Sequence, residues 1–173
     1  MPPAMLQPKR QNLYLGKAGQ FAVMAECLMR GFNVAIPEVD VGDDLFVVND
    51  QSGNYRRIQV KTITAVRRSA GYSAQFQVPL PQLKQIFVPD LIYVFATRFP
   101  AGWGPFLVIL RDTLLDLHET KGVGAKTKQG ERVQFYVTFG DEGSAQCGQQ
   151  SLISFVNQFD GLPDTVPADD FTF

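Results

Sequence analysis

Gly42-Asp43-Asp44-Leu45-Phe46-Val47-Val48, followed after a turn by Ile58-Gln59-Val60-Lys61-Thr62, is the stretch on which the fold reading depends. Two apolar runs flank the cluster Asn49-Asp50-Gln51-Ser52-Gly53-Asn54, a pattern that predicts a β-hairpin. Residues two apart on a strand share a face, so Gln59 and Lys61 point the same way, and the hairpin can bring Asp44 near both. A carboxylate, a second oxygen donor and a lysine are the groups that metal-assisted phosphodiester hydrolysis needs. Oxygens suit Mg²⁺, which takes one or two carboxylates together with waters and phosphate oxygens. The lysine can stabilise phosphate charge or orient the nucleophile. The same residues also fit an ordinary hairpin with an aspartate at its start and a lysine on its wet face.

The surrounding motifs narrow that choice. Gly16-Lys17-Ala18-Gly19-Gln20, Cys27-Leu28-Met29-Arg30-Gly31-Phe32-Asn33-Val34, Val39-Asp40-Val41-Gly42-Asp43-Asp44 and Ile58-Gln59-Val60-Lys61-Thr62 follow one another in an order that resembles the PD-(D/E)XK nuclease superfamily. The similarity is to the branch with Gln-x-Lys as its last motif, which includes a group of homing endonucleases and many uncharacterised prokaryotic proteins. It covers roughly residues 14–66. The resemblance implies an α/β, restriction-endonuclease-like fold: a mixed central β-sheet flanked by α-helices, with the site at the sheet's edge. It implies Asp44 as metal-binding aspartate, Gln59 in the second acidic position and also against the metal, Lys61 as catalytic lysine, and Mg²⁺ (or Mn²⁺) as cofactor. The family's helix carboxylate follows its glycine; here Gln20 follows Gly19, so the fourth catalytic position is a neutral amide. Glu26 lies six residues on, about 240° around the helix, and does not replace it. Asp40 and Asp43 are the carboxylates that could restore the missing charge.

Composition bounds the rest. With 173 residues and 45% hydrophobic content, the chain has material for a sizeable core. No apolar run reaches membrane-spanning length, and the first ten residues lack a signal-peptide core, so a cytoplasmic protein with no membrane partner is the expectation. Cys27 and Cys147 are expected as reduced thiols, and no Cys/His spacing suggests zinc. The lone histidine, His118, reads as a cation at a helix C-terminus. The net charge is −1. It is uneven: residues 1–68 carry 9 Lys/Arg against 6 Asp/Glu, residues 69–138 carry 7 against 5, and residues 139–173 carry none against 6. A mildly basic body and an acidic tail follow.

Along the chain, residues 1–12 read as an arm, 13–160 as a single PD-(D/E)XK-like domain and 161–173 as an acidic Pro/Asp-rich tail. Apolar residues from Tyr14 to Arg30 (Leu15, Phe21, Met24, Cys27, Leu28) recur at helical spacing and stop at Gly31. Further strands are predicted at 32–36, 74–78, 91–97, 106–110 and 132–139. Residues 82–87 read as a short helix, 113–119 as a helix capped by Asp112, and 149–159 as a helix. Trp103 falls in a predicted turn, where it packs a loop or stacks on a base. Arg56, Arg57, Arg67 and Arg68 flank the hairpin's second strand and, with Lys126 and Lys128 of a Gly/Lys-rich loop, are candidate nucleic-acid contacts. A charge-guarded strand edge serves equally for the first four. The Gly/Lys-rich loop lacks the order of a phosphate-binding P-loop.

Two functions follow as expectations: a Mg²⁺-dependent DNA endonuclease working as a homodimer, or a catalytically impaired nuclease fold kept as a nucleic-acid-binding or protein-interaction module. A structural subunit of a defence or mobile-element system is a third.

Overall fold

The computed structural model describes residues 8–39, 41–159 and 162. Helix α1 (Pro8–Met29) leads into β1 (Asn33–Ala35) and the hairpin β2 (Leu45–Val48) and β3 (Tyr55–Thr64). Then come β4 (Val66–Arg68), β5 (Gly71–Pro79), α2 (Leu80–Lys84), β6 (Leu91–Phe99), β7 (Gly102–Leu110) and α3 (Arg111–Lys121). The chain continues through β8 (Ala125–Lys126), β9 (Arg132–Phe139), β10 (Ala145–Cys147) and β11 (Gln150–Ser151), and ends its described course with a 3-10 turn at Ile153–Phe155.

The predicted hairpin is present, with Leu45 opposite Ile58 and Val48 opposite Tyr55. Its turn is built by Asn49, whose Oδ1 accepts the backbone N–H groups of Gln51 (2.9 Å) and Ser52 (3.1 Å). This is the side-chain mimicry of a backbone turn that favours Asn there. The hairpin belongs to a five-stranded sheet in the order β1-β2-β3-β6-β7. Only β3 and β6 run parallel, so the sheet is mixed, as expected.

Strand β6 alternates between two cores. Ile92, Val94 and Ala96 face a cluster closed by Val23 and Cys27 of α1 with Phe32 and Phe159, while Leu91, Tyr93 and Phe95 face a second cluster on the other side. That second cluster is closed by α2, α3 and a layer the sequence reading did not assemble: an antiparallel sheet in the order β11-β10-β9-β5-β4, with β8 added on β9. Alternation in β5 and β9 gives each one dry side, and a strand with one dry side must find a layer to bury it against. Phe76 stacks on Phe95 at 4.4 Å between centroids, and Phe135 lies 5.8 Å from the same ring. Burying a ring such as Phe95 contributes about 1.5–3 kcal/mol.

Several local expectations are corrected. Helix α1 begins at Pro8, inside the stretch read as an arm. Its buried stripe is Gly19, Val23 and Cys27, spaced four apart, whereas Phe21 and Leu28 are exposed. Residues 149–159 form a short strand and a 3-10 turn in place of a helix: Val156 bridges to Leu107, and Asn157 takes a positive φ of 53°, both incompatible with continuing a helix. Trp103 lies in β7 and packs against the core on the α1 side, so the turn is shorter than predicted. Asp112 sits in the first turn of α3 but does not cap it; the N-cap is Leu110. The helix start is held from outside, by Asp90 accepting from Arg111 Nε (2.6 Å) and from the Asp112 backbone N–H (3.3 Å). The acidic tail and Asp40 lie outside the described residues.

Candidate active site

On β3, Ile58 and Val60 face the α1 core, which leaves Arg57, Gln59 and Lys61 on the opposite face. Asp44 sits one residue before β2, its N–H donating to Ile58 O at 2.8 Å, so the hairpin ladder itself delivers the carboxylate to β3. Asp44 Oδ2 accepts from the Val60 N–H (2.7 Å) and from Gln59 Nε2. The hairpin thus brings Asp44 and Gln59 together. Lys61 is two residues further along the same face, about 7 Å from Gln59 by strand rise.

Gln20 arrives from α1. Its Nε2 donates to the Asp44 backbone carbonyl at 2.6 Å, and its Oε1 accepts from Lys17 Nζ at 2.7 Å. The amide in the fourth position therefore acts as a strut between helix and hairpin, gripping the backbone of Asp44. This reach depends on close packing: a Cβ on Gly19 would stand 2.1 Å from Thr62 Oγ1 and 2.6 Å from Thr62 Cγ2. Glycine is the residue that lets helix and strand approach so nearly.

Two further side chains complete the constellation, and nothing in the motifs announced them. Gln82 of α2 donates through Nε2 to Gln59 Oε1 (3.1 Å) and to Gly42 O (3.0 Å). Tyr93 of β6 donates its hydroxyl to Gln82 Oε1 at 3.1 Å. Burial raises the Tyr93 hydroxyl pKa well above the ordinary phenol value, so it stays a proton donor. The result is one directed chain of donors, Tyr93 to Gln82 to Gln59 to Asp44. Gln82 has no sequence relation to the hairpin, and Tyr93 sits in a run of buried apolar residues that reads as core.

The neighbouring carboxylate has a different role. The Asp43 side chain is fully buried, and its Oδ2 meets Arg57 Nη1 at 2.6 Å. Asp43 Oδ1 and Arg57 Nε have no hydrogen-bond partner among the described residues. Asp43 is thus engaged in an ion pair beneath the hairpin, and Arg57 spends its charge there and over the Phe46 ring, 5.6 Å from its centroid. Glu26 pairs with Arg30 on α1.

A hard divalent cation is tested by the donors present. Those around Asp44 are oxygens and amides, the right kind for Mg²⁺ or Mn²⁺. Among the described residues no three His, Cys, Asp or Glu side chains gather into a group, so the carboxylate count meets the Mg²⁺ requirement at its lower end. Asp44 fits as a ligand; Gln59 fits only with its oxygen turned toward Asp44, where its NH₂ now lies.

The remaining candidates spread out. Arg56 is half-buried on β3. Arg67 is exposed in a fork to Asp141 (2.8 and 3.2 Å) with its guanidinium over Tyr72. Arg68 donates to Ser73 Oγ (2.9 Å) and Tyr136 OH (3.2 Å). Lys126 and Lys128 belong to the β8–β9 hairpin of the second sheet. His118, in the last turn of α3, places Nδ1 2.8 Å from Val123 O, consistent with a helix-end role. Both cysteines are free and buried.

No protein-family profile matches the chain, and no curated protein matches it. Among solved structures, the chain is similar to a bacterial homing endonuclease, I-Ssp6803I, with 13% sequence identity, a TM-score of 0.49, and coverage of 83% of this chain and 86% of the other. No helix among the described residues is long and apolar enough to cross a membrane.

Proposed function

We propose that the protein hydrolyses DNA phosphodiester bonds in the manner of PD-(D/E)XK nucleases, with Asp44, Gln59 and Lys61 as its reactive groups and Gln20 as their support. The observation that carries this reading is the meeting of Asp44 and Gln59 at the start of the hairpin, with Lys61 on the same strand face. Asp44, with the Gln59 amide oxygen, would hold Mg²⁺ or Mn²⁺, which supplies an activated water and screens phosphate charge. Lys61 offers its ammonium to the phosphate or the nucleophile. Gln20 fixes the Asp44 backbone, and Lys17 fixes Gln20. A duplex cut on both strands calls for two such sites, which a two-fold homodimer provides.

The test is cleavage of labelled duplex and branched DNA at low salt, with Mg²⁺ or Mn²⁺, comparing the wild type with Lys61→Ala. We expect metal-dependent cleavage by the wild type and a loss of about 100-fold or more in the variant, the size typical of removing one charge-stabilising group. No cleavage by the wild type, together with no Mn²⁺ heat by calorimetry, would sink the nuclease reading and leave a binding module.

A further inference from the structure

The second sheet presents one dry face to the core, and its other face is unusual in composition. By strand register this face carries Arg68, Arg132 and four glutamines, Gln75, Gln77, Gln134 and Gln146, and no aspartate or glutamate. An ordinary solvated face of an antiparallel sheet has no reason to exclude one sign of charge. Gln75 and Gln77 of β5 are exposed, and Gln77 stands directly opposite Gln134 of β9, with Gln75 opposite Tyr136. Arg68 lies across this face, held by Ser73 and Tyr136. Toward the β8–β9 end a concavity of about 510 Å³ opens, lined by Gln77 and Gln134 and by the three cations Lys126, Lys128 and Arg132, against the single carboxylate Glu131.

We infer that this outer face is the surface that reads DNA sequence, taking the major groove of a duplex, with the basic concavity receiving a phosphate backbone. The inference rests on the DNA substrate proposed above. Three physical facts carry it. Side-chain amides pair bidentately with adenine and guanidinium groups with guanine, and sheet strands as well as helices serve as DNA readers. Residues two apart on a strand are about 6.8 Å apart, twice the ~3.4 Å rise per base pair, so Gln75 and Gln77 are spaced to address every second base pair. Arg68 follows Lys61 by seven residues, a reach of at most about 25 Å, so the Arg68 edge of this face lies within one helical turn, about 34 Å, of Lys61.

The experiment is selection of bound duplexes from a randomised DNA library by the full chain in EDTA, where nothing is cut. The wild type is compared with Gln75→Ala/Gln77→Ala/Gln134→Ala and with Lys126→Ala/Lys128→Ala/Arg132→Ala, each checked for an unchanged circular dichroism spectrum. We expect the wild type to enrich a short motif, and the glutamine variant to lose about tenfold or more of that enrichment while keeping its affinity for unrelated duplex. The cation variant should bind every sequence more weakly, with a salt dependence shallower by nearly one unit for each phosphate contact removed. Wild-type binding without enrichment, an unchanged motif in the glutamine variant, or equal retention of duplex RNA, whose major groove is too narrow for a strand, would each overturn the inference. Selective binding without cleavage would count only against the nuclease; cleavage with preferences untouched by the glutamine changes would count only against this face.

Discussion

The two faces of β3 are made from alternating residues of one strand, yet they serve opposite ends. On one, Ile58, Val60 and Thr62 lie under α1, which approaches so closely that Gly19 has no room for a methyl group. On the other, Arg57, Gln59 and Lys61 form a polar row, of which Arg57 and Gln59 are tied to Asp43 and Asp44. The dry face fixes where the strand is; the polar face then has a rigid base on which a carboxylate and a lysine can be held in register. Precision at the site is supplied by packing on the side of the sheet away from it.

The largest way to break this arrangement is Arg57→Ala, which leaves Asp43 as an unpaired charge in a fully buried position. A loss of about 3–5 kcal/mol is expected from urea denaturation, and Arg57→Ala combined with Asp43→Asn should recover a large part of it; no recovery would mean the cost is packing and not charge. Next comes the dry face. Gly19→Ala forces a Cβ into Thr62 and should cost about 1–3 kcal/mol by the same measurement, and it should weaken any activity further by pulling the Gln20 strut away from Asp44. An unchanged stability would show that α1 is free to shift, and that the close approach is not what holds the strand.

The smallest effect is in the pH dependence. Burial pushes the Cys27 thiol up to about 12. A pKa raised in the folded state means stability that is complete below the ordinary thiol value, near 9, and lost as pH rises toward 12. At pH 10 the wild type should have lost about 1.4 kcal/mol relative to pH 8 through this residue, a loss that Cys27→Ala should lack. Equal pH slopes for the two proteins would place the thiol in contact with water.

The hairpin and the places of Asp44, Gln59 and Lys61 on it were readable because each signal was local: a turn cluster of Asn, Asp, Ser and Gly, two apolar runs, and a two-residue spacing on one strand. Gly31 as the end of α1 was readable for the same reason. What could not be read was assembly between distant segments. Gln82 and Tyr93 join the site across 23 and 34 residues from Gln59, and neither belongs to a motif. The second sheet was legible strand by strand, but not as a layer, since alternation says that a face is dry without saying what covers it. The misread helix at 149–159 has a related cause. Its apolar residues suit a helical period, but Leu152 and Phe159 are buried as anchors of an irregular chain while Ile153 is exposed.

The chain of donors from Tyr93 through Gln82 and Gln59 to Asp44 has two self-consistent settings. In the one observed, an amide NH₂ stands against Asp44 where a cation would stand, and every link donates toward the carboxylate. Turning the Gln59 oxygen inward reverses Gln82, gives up its bond to Gly42, and makes Tyr93 an acceptor. An ion that uses both Asp44 and Gln59 therefore binds only the reversed population, and its apparent dissociation constant is the intrinsic one divided by that fraction. Each tenfold scarcity of the reversed form would subtract about 1.4 kcal/mol from such an ion's affinity, so two residues that would never touch the ion, Gln82 and Tyr93, would set the concentration at which it binds.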